Sequence, residues 1–261
     1  MAHKNASSVK TVDRLVEILD QFSPENSTWS LAELSSSLQL PKSTLHRFLV
    51  ALECQGILRR DPGEKRWRLG YHLLAWGRFA YEGTELRHIA HSTMHDLVDA
   101  TGETAILTIY HNLEVICIET IETRHPIRLT LSIGAHRPPH AGASSKILMA
   151  YLPDEEITAI IKQKGLPKLC TNTITDPQEL RRELALIRER GIAQSLEETD
   201  VSAWGVAAPI SDRNGSVLAG VGIAGPTSRR TEELTQRCVA LCREASQKIS
   251  RLLYTGSEVA D

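Results

Sequence analysis

Between Ser30 and Leu69 the order of residues leaves few folds open. Leu31 to Leu38 reads as a short helix with Ser30 as its N-cap, and Glu33, three positions on, completes a capping box. A connector of Gln39 and Leu40 leads to Pro41, which suits the first turn of another helix running to about Gln55. An amphipathic stretch over residues 9–22, stopped by Pro24, precedes the pair. Two short helices on a tight turn predict a helix-turn-helix. On the second of them Leu45, Phe48, Leu49 and Leu52 make one stripe that must face a core. Ser43 and Arg47 then point outward, flanked by Thr44 and His46. These groups donate to phosphates and base edges, or they form a polar face that is merely solvated.

The next segment favours the first reading. Gly56, Ile57 and Leu58 precede Arg59 and Arg60, then Asp61, Pro62 and Gly63 supply turn chemistry, and residues 64–69 return as a second strand. Alternation predicts Trp67 and Leu69 on one face of this hairpin and Arg66 and Arg68 on the other. That basic face can press on a phosphate backbone, or it is an ordinary charged hairpin. Residues 40–70 hold seven basic side chains (Lys42, Arg47, Arg59, Arg60, Lys65, Arg66, Arg68) against three acidic ones, although the whole chain carries −2. A local excess of this kind suits a polyanion. The expectation is a winged helix-turn-helix over residues 1–70 with double-stranded DNA as its partner.

A chain of 261 residues exceeds one usual domain, so a second is expected. Residues 71–84 read as a connecting helix in which Leu73, Leu74, Trp76 and Phe79 are too apolar for a bare linker. They suit burial against a partner subunit, or packing on the chain's own domain. Over residues 85–261, helices are expected at 85–100, 144–151, 154–162, 177–190 and 231–253, with strands at 103–110, 114–122, 127–133, 205–211 and 217–224. Hairpins with helices grouped around them predict an α+β, sensor-like domain. No apolar run approaches the roughly 18 residues of a membrane helix. Lys4, Lys10, Asp13, Arg14 and Glu17 interrupt the start of the chain, leaving no stretch for a signal peptide. The five cysteines include no Cys-x-x-Cys pair, so neither a disulfide framework nor a structural zinc is expected, and a reducing cytoplasm fits.

Four stretches together are similar to the IclR-type transcription regulators: Pro41 to Leu52 (PKSTLHRFLVAL), Trp67 to Leu74 (WRLGYHLL), Gly134 to Leu152 (GAHRPPHAGASSKILMAYL), and Glu197 to Pro226 with WGVAAPI at Trp204 to Ile210. The resemblance covers nearly the whole chain. It implies a winged-helix domain, a dimerising connecting helix and a GAF-like C-terminal domain that binds a small effector, in a homodimer or a tetramer built as a dimer of dimers. It also implies that Lys42, Ser43, Thr44 and Arg47 lie on the DNA-facing helix. Action as repressor or as activator is equally open.

In the second domain, Ala141, Gly142, Ala143 and Ser144 run from a loop into a helix. Small residues there leave backbone N–H groups accessible to a carboxylate or phosphate, or they let the helix pack closely on the sheet. The resemblance puts the effector pocket between this segment and the strands carrying Trp204, Gly205, Gly222 and Ala224. The glycines and Ala224 leave room for a larger or less polar effector, with Trp204 as a stacking surface and Arg128, Arg137 and Asp200 as polar contacts or ordinary surface charges. His88, His91 and His95 share a helix face but lack the second shell of a metal site. Cys238 and Cys242 read as packing residues. Ser144, Ser145 and Lys146 with His140 match no nucleophile elbow, so no catalysis, metal or cofactor is expected. The alternative class is a small-molecule sensor or enzyme without DNA function.

Overall fold

The computed structural model describes residues 9–61 and 63–256, which divide into two compact units meeting between Gly83 and Thr84. Pro62 of the expected turn lies outside the described residues.

The first unit comprises α1 (Lys10–Leu19), β1 (Trp29–Ser30), α2 (Leu31–Leu38), α3 (Lys42–Cys54), β2 (Leu58–Arg60), β3 (Arg66–Leu69) and α4 (Tyr71–Glu82). Its local signals act as expected. The Ser30 hydroxyl accepts from the Glu33 amide, while the Glu33 carboxylate accepts from the Ser30 amide, so two orphan helix donors are satisfied reciprocally. Gln39 ends α2 in the left-handed region at φ 52° and turns the chain into α3. Ile18, Leu34, Leu45, Leu49, Leu52, Leu58 and Trp67 form the core, with Phe48 half-buried at its edge.

The hairpin is a three-stranded sheet in the order β1-β3-β2, because Trp29 pairs across from Trp67. A two-residue strand has no readable period, so sequence reasoning missed it. Leu69 departs from expectation: it is 42% exposed, whereas its pair partner Leu58 is buried. It is the last residue of its strand. None of the residues of α4 is buried, and Tyr71, Leu74 and Phe79 are the most exposed of its large apolar side chains.

The second unit comprises α5 (Glu85–Thr101), β4 (Thr104–His111), β5 (Glu114–Ile121), β6 (His136–Arg137), α6 (Ala143–Met149), α7 (Asp154–Lys164), α8 (Pro177–Arg190), β7 (Ala193–Leu196), β8 (Ala203–Ser211), β9 (Val217–Pro226) and α9 (Glu232–Gly256). Its six strands form one antiparallel sheet in the order β6-β5-β4-β9-β8-β7. Each face carries its own core. Met94 and Leu97 of α5 and Ala245 and Ile249 of α9 pack on Leu107, Ile210 and Val221. On the other face Ile147 and Leu148 of α6 pack with Ile157, Leu184, Ala193 and Ala207.

The strand expected over residues 127–133 is absent. That segment runs between β5 and β6, and side chains rather than a neighbouring strand hold its alternate carbonyls. Arg229 donates to the Ile127 oxygen at 2.7 Å, Thr104 to Leu129 at 2.7 Å and Thr120 to Leu131 at 2.6 Å. The alternating pattern marked an extended chain correctly but could not say what the chain bonds to. Strands β6 and β7, both short edge strands, went unpredicted.

Candidate functional site

In the first unit α3 is anchored by Leu45, Leu49 and Leu52, so its opposite face is free. Lys42, Ser43, Thr44, His46 and Arg47 are all exposed there. They present a cation, two hydroxyls, an imidazole and a guanidinium over two turns, matched to phosphate oxygens and base edges.

The wing arginines are less free than their charge suggested. Arg66 donates through Nε to the Thr28 hydroxyl at 3.0 Å and through Nη2 to the Thr28 carbonyl at 3.0 Å, and it pairs with Glu33 at 2.8 Å. Arg68 is paired with Asp61. The Arg59 guanidinium lies 4.8 Å from the Tyr71 ring centre, and Arg60 lies 4.3 Å from that of Trp67. Lys65, with φ 51°, is exposed at the tip of the hairpin. Arg66 and Arg68 thus stitch β3 to α2 and to β2, and the uniformly available basic wing face expected from alternation is replaced by Arg60 and Lys65 projecting from a cross-braced hairpin.

In the second unit a pocket of about 170 Å³ opens on the α6 face of the sheet. Ala141, Gly142, Ala143 and Ser144 form one wall, Gly205, Ala224 and Ile106 the floor, and Leu129, Thr130 and Leu131 of the side-chain-tied segment another wall. Arg137 and Asp200 stand at the rim 4.0 Å apart. Cavities near 150 Å³ take a benzene-sized body, so this volume is that of a small molecule.

Of the expected pocket residues, Trp204 lines the pocket but turns its ring away, and Gly222 does not line it. On β8, Gly205 faces α6, which sends the neighbouring Trp204 side chain to the opposite face, where it packs with Cys238 and Cys242 of α9. Trp204 still counts among the residues that line the pocket, with its ring buried against α9. Gly222 is not among the lining residues. A Cβ there would come within 2.3 Å of the Val206 carbonyl oxygen, so this glycine serves close approach of β8 and β9.

Glu198, which sequence reasoning missed, lines the pocket. Its Oε2 accepts from the Gly142 amide at 2.9 Å and its Oε1 from Lys146 Nζ at 2.7 Å, and Lys146 also reaches Glu183 at 2.9 Å. One of the loop amides expected to be open to an anion is therefore taken by an internal carboxylate. Burial holds the Glu198 carboxyl above the usual carboxylate range, with Lys146 and the Gly142 amide pulling it back and Glu183 adding to the rise. The signal was available: Lys146 sits within an otherwise small and apolar helix, where a cation needs an anion.

The remaining candidates fall into place. His88, His91 and His95 are exposed, and among the described residues no three His, Cys, Asp or Glu side chains are grouped to hold a metal. Arg128 pairs with Glu122. His140 is buried and its Nε2 contacts the Pro167 carbonyl oxygen. Burial pushes the Cys238 thiol up to about 11 and the Cys242 thiol further still, as packing residues would be. Among the described residues no helix is long and apolar enough to cross a membrane.

A winged helix-turn-helix with an uncovered reading face, joined to a separate α+β unit, defines a DNA-binding transcription regulator rather than an enzyme. Two family models match the chain: the IclR helix-turn-helix domain over residues 11–62 and the bacterial transcriptional regulator IclR C-terminal domain over residues 79–251. The chain belongs to the IclR family. It is 33% identical to the HTH-type transcriptional regulator KipR of Bacillus subtilis (strain 168), over 98% of this chain and 100% of that one. The crystal structure of the Thermotoga maritima IclR is 32% identical with a TM-score of 0.67, covering 94% of this chain and 98% of that one. An IclR homolog from Microbacterium hydrocarbonoxydans, complexed with 4-hydroxybenzoate, is 26% identical with a TM-score of 0.75 over 94% of this chain and 99% of that one.

Proposed function

We propose that this regulator is controlled by a small metabolite held in the pocket of the second unit. Two copies joined through α4 set their α3 helices on successive half-sites of an operator. The observation that carries the reading is the convergence of Ala141, Gly142, Ala143, Ser144, Gly205, Ala224, Arg137 and Asp200, drawn from distant parts of the chain, on one cavity. The aliphatic walls suit a small, flat or branched body, and Arg137 with Asp200 suits one polar end of it. The 4-hydroxybenzoate complex of the Microbacterium homolog supports a ligand of that size. Effector binding then shifts the population of DNA-competent arrangements.

A thermal-shift screen of metabolites tests this, since a ligand of the folded state at 100 times its Kd adds about 2.7 kcal/mol. Ala224→Leu fills the floor of the pocket, so the responding compound should lose its shift while operator binding persists. An undiminished shift in that variant would place the site elsewhere. For the reading face, Arg47→Ala should cost roughly 1–3 kcal/mol in operator affinity and relax selectivity at one base position. Operator affinity and preference equal to wild type would remove Arg47 from base readout.

A further inference from the structure

The C-terminal end of α3 and the start of α4 are joined by a compact set of bonds that the reading face does not use. The last carbonyls of a helix lack intrahelical partners. Here the Leu52 oxygen accepts from the Ile57 amide at 2.9 Å and the Glu53 oxygen from the Gly56 amide at 2.9 Å. The Gln55 and Gly56 carbonyls are satisfied from across the hairpin. The His72 amide donates to the Gly56 oxygen at 3.3 Å, and His72 Nδ1 lies 2.9 Å from the oxygen of Gln55, the C-cap of α3. That carbonyl only accepts, so Nδ1 carries the hydrogen. The imidazole also lies against the Trp76 ring, with centres 4.5 Å apart. Gly70 is bonded to the Ile57 oxygen at 2.7 Å, and a Cβ on it would fall 2.0 Å from the Gly56 oxygen.

We propose that His72 is the positioning residue that fixes the angle between the DNA-reading helix and the dimerising helix, and through it the half-site spacing the dimer accepts. The proposal rests on the reading that α4 joins two copies. A helix of the length of α4 rises about 18 Å, so a change of about 10° at its base moves the far end by about 3 Å, close to one base-pair step. Half-site spacing is set by the rigid distance between two readers. One side-chain bond to the helix cap is therefore placed where a small loss of stiffness becomes a change in register along DNA. His72 is exposed, and its hydrogen bonds and ring contact go to Gln55, Gly56 and Trp76, none of them on the outward face of α3.

The test is selection from a library of random DNA duplexes with full-length wild type, His72→Phe and His72→Asn. Phenylalanine keeps a ring against Trp76 and loses the donor; asparagine keeps a donor near the Nδ1 position and loses the ring. Wild type should select paired half-sites at one spacing. His72→Phe should select the same half-site sequence with the share at that spacing reduced roughly three- to tenfold, the loss expected of one hydrogen bond. His72→Asn should match wild type. A narrow wild-type spacing in His72→Phe overturns the proposal, and so does equal broadening in both variants or an altered half-site sequence. Unpaired half-sites in the wild-type selection remove the dimer reading itself, and the proposal with it.

Discussion

Trp67→Ala should unfold the first unit and abolish DNA binding although Trp67 is buried behind the reading face. The indole is 1% exposed, lies between Leu58, Leu45 and Leu49 in the core, and faces Trp29 across β1 and β3. Truncating a buried tryptophan costs about 3–5 kcal/mol, and a whole domain holds about 5–15 kcal/mol. The same substitution removes the ring over which Arg60 lies, so the strand that carries the wing is loosened too. Calorimetry of the full chain should show the first unit's transition lowered or lost and that of the second unit unmoved, with operator binding gone at temperatures where the second unit is intact. A variant that melts as wild type and still binds DNA would show that the sheet contributes little to the reader.

Lys146→Met should be the most damaging single change in the second unit. Lys146 is 1% exposed and shared by Glu198 and Glu183, so methionine leaves the Glu198 carboxylate buried beside a second one. Breaking a buried pair by removing one partner costs about 3–5 kcal/mol. The loss should depend on pH in a definite sense. The folded-state pKa of Glu198 lies above its ordinary value of 4.5, so the folded protein binds that proton more tightly than the unfolded chain does. Its contribution to stability is full below 4.5 and is lost as pH rises through the raised value. The deficit of Lys146→Met is therefore largest near neutral pH and narrows in acid, where Glu198 becomes neutral. Melting of wild type and variant across a series from neutral pH down to about pH 4 reads this directly. An equal deficit across that series would remove Glu198 as its cause.

What the sequence made legible was what residues do to their near neighbours. The capping box at Ser30 and Glu33, the start of α8 at Pro177, and the buried stripe of α3 depend on nearby residues, and each is found where the sequence placed it. What it concealed depends on partners far along the chain. Arg66 carries the same charge whether it meets a phosphate or Glu33, and nothing local distinguishes the two. Small residues on a strand are ambiguous in the same way. Gly205 and Ala224 open space for a ligand, whereas Gly222, on the same face, closes space between two strands. For Trp204 the period was legible, but which face held the pocket was not, and one position of parity decided its role.

The wall of the pocket formed by Leu129, Thr130 and Leu131 is fastened by Arg229, Thr104 and Thr120 and takes no part in the ladder of the sheet. Each such bond contributes about 0.5–1.5 kcal/mol, and none of them is needed to align a strand. This wall is a replaceable cassette. Residues within it can be exchanged while β4, β5 and β9 keep their register, so the lining of the pocket can change without relearning how to fold.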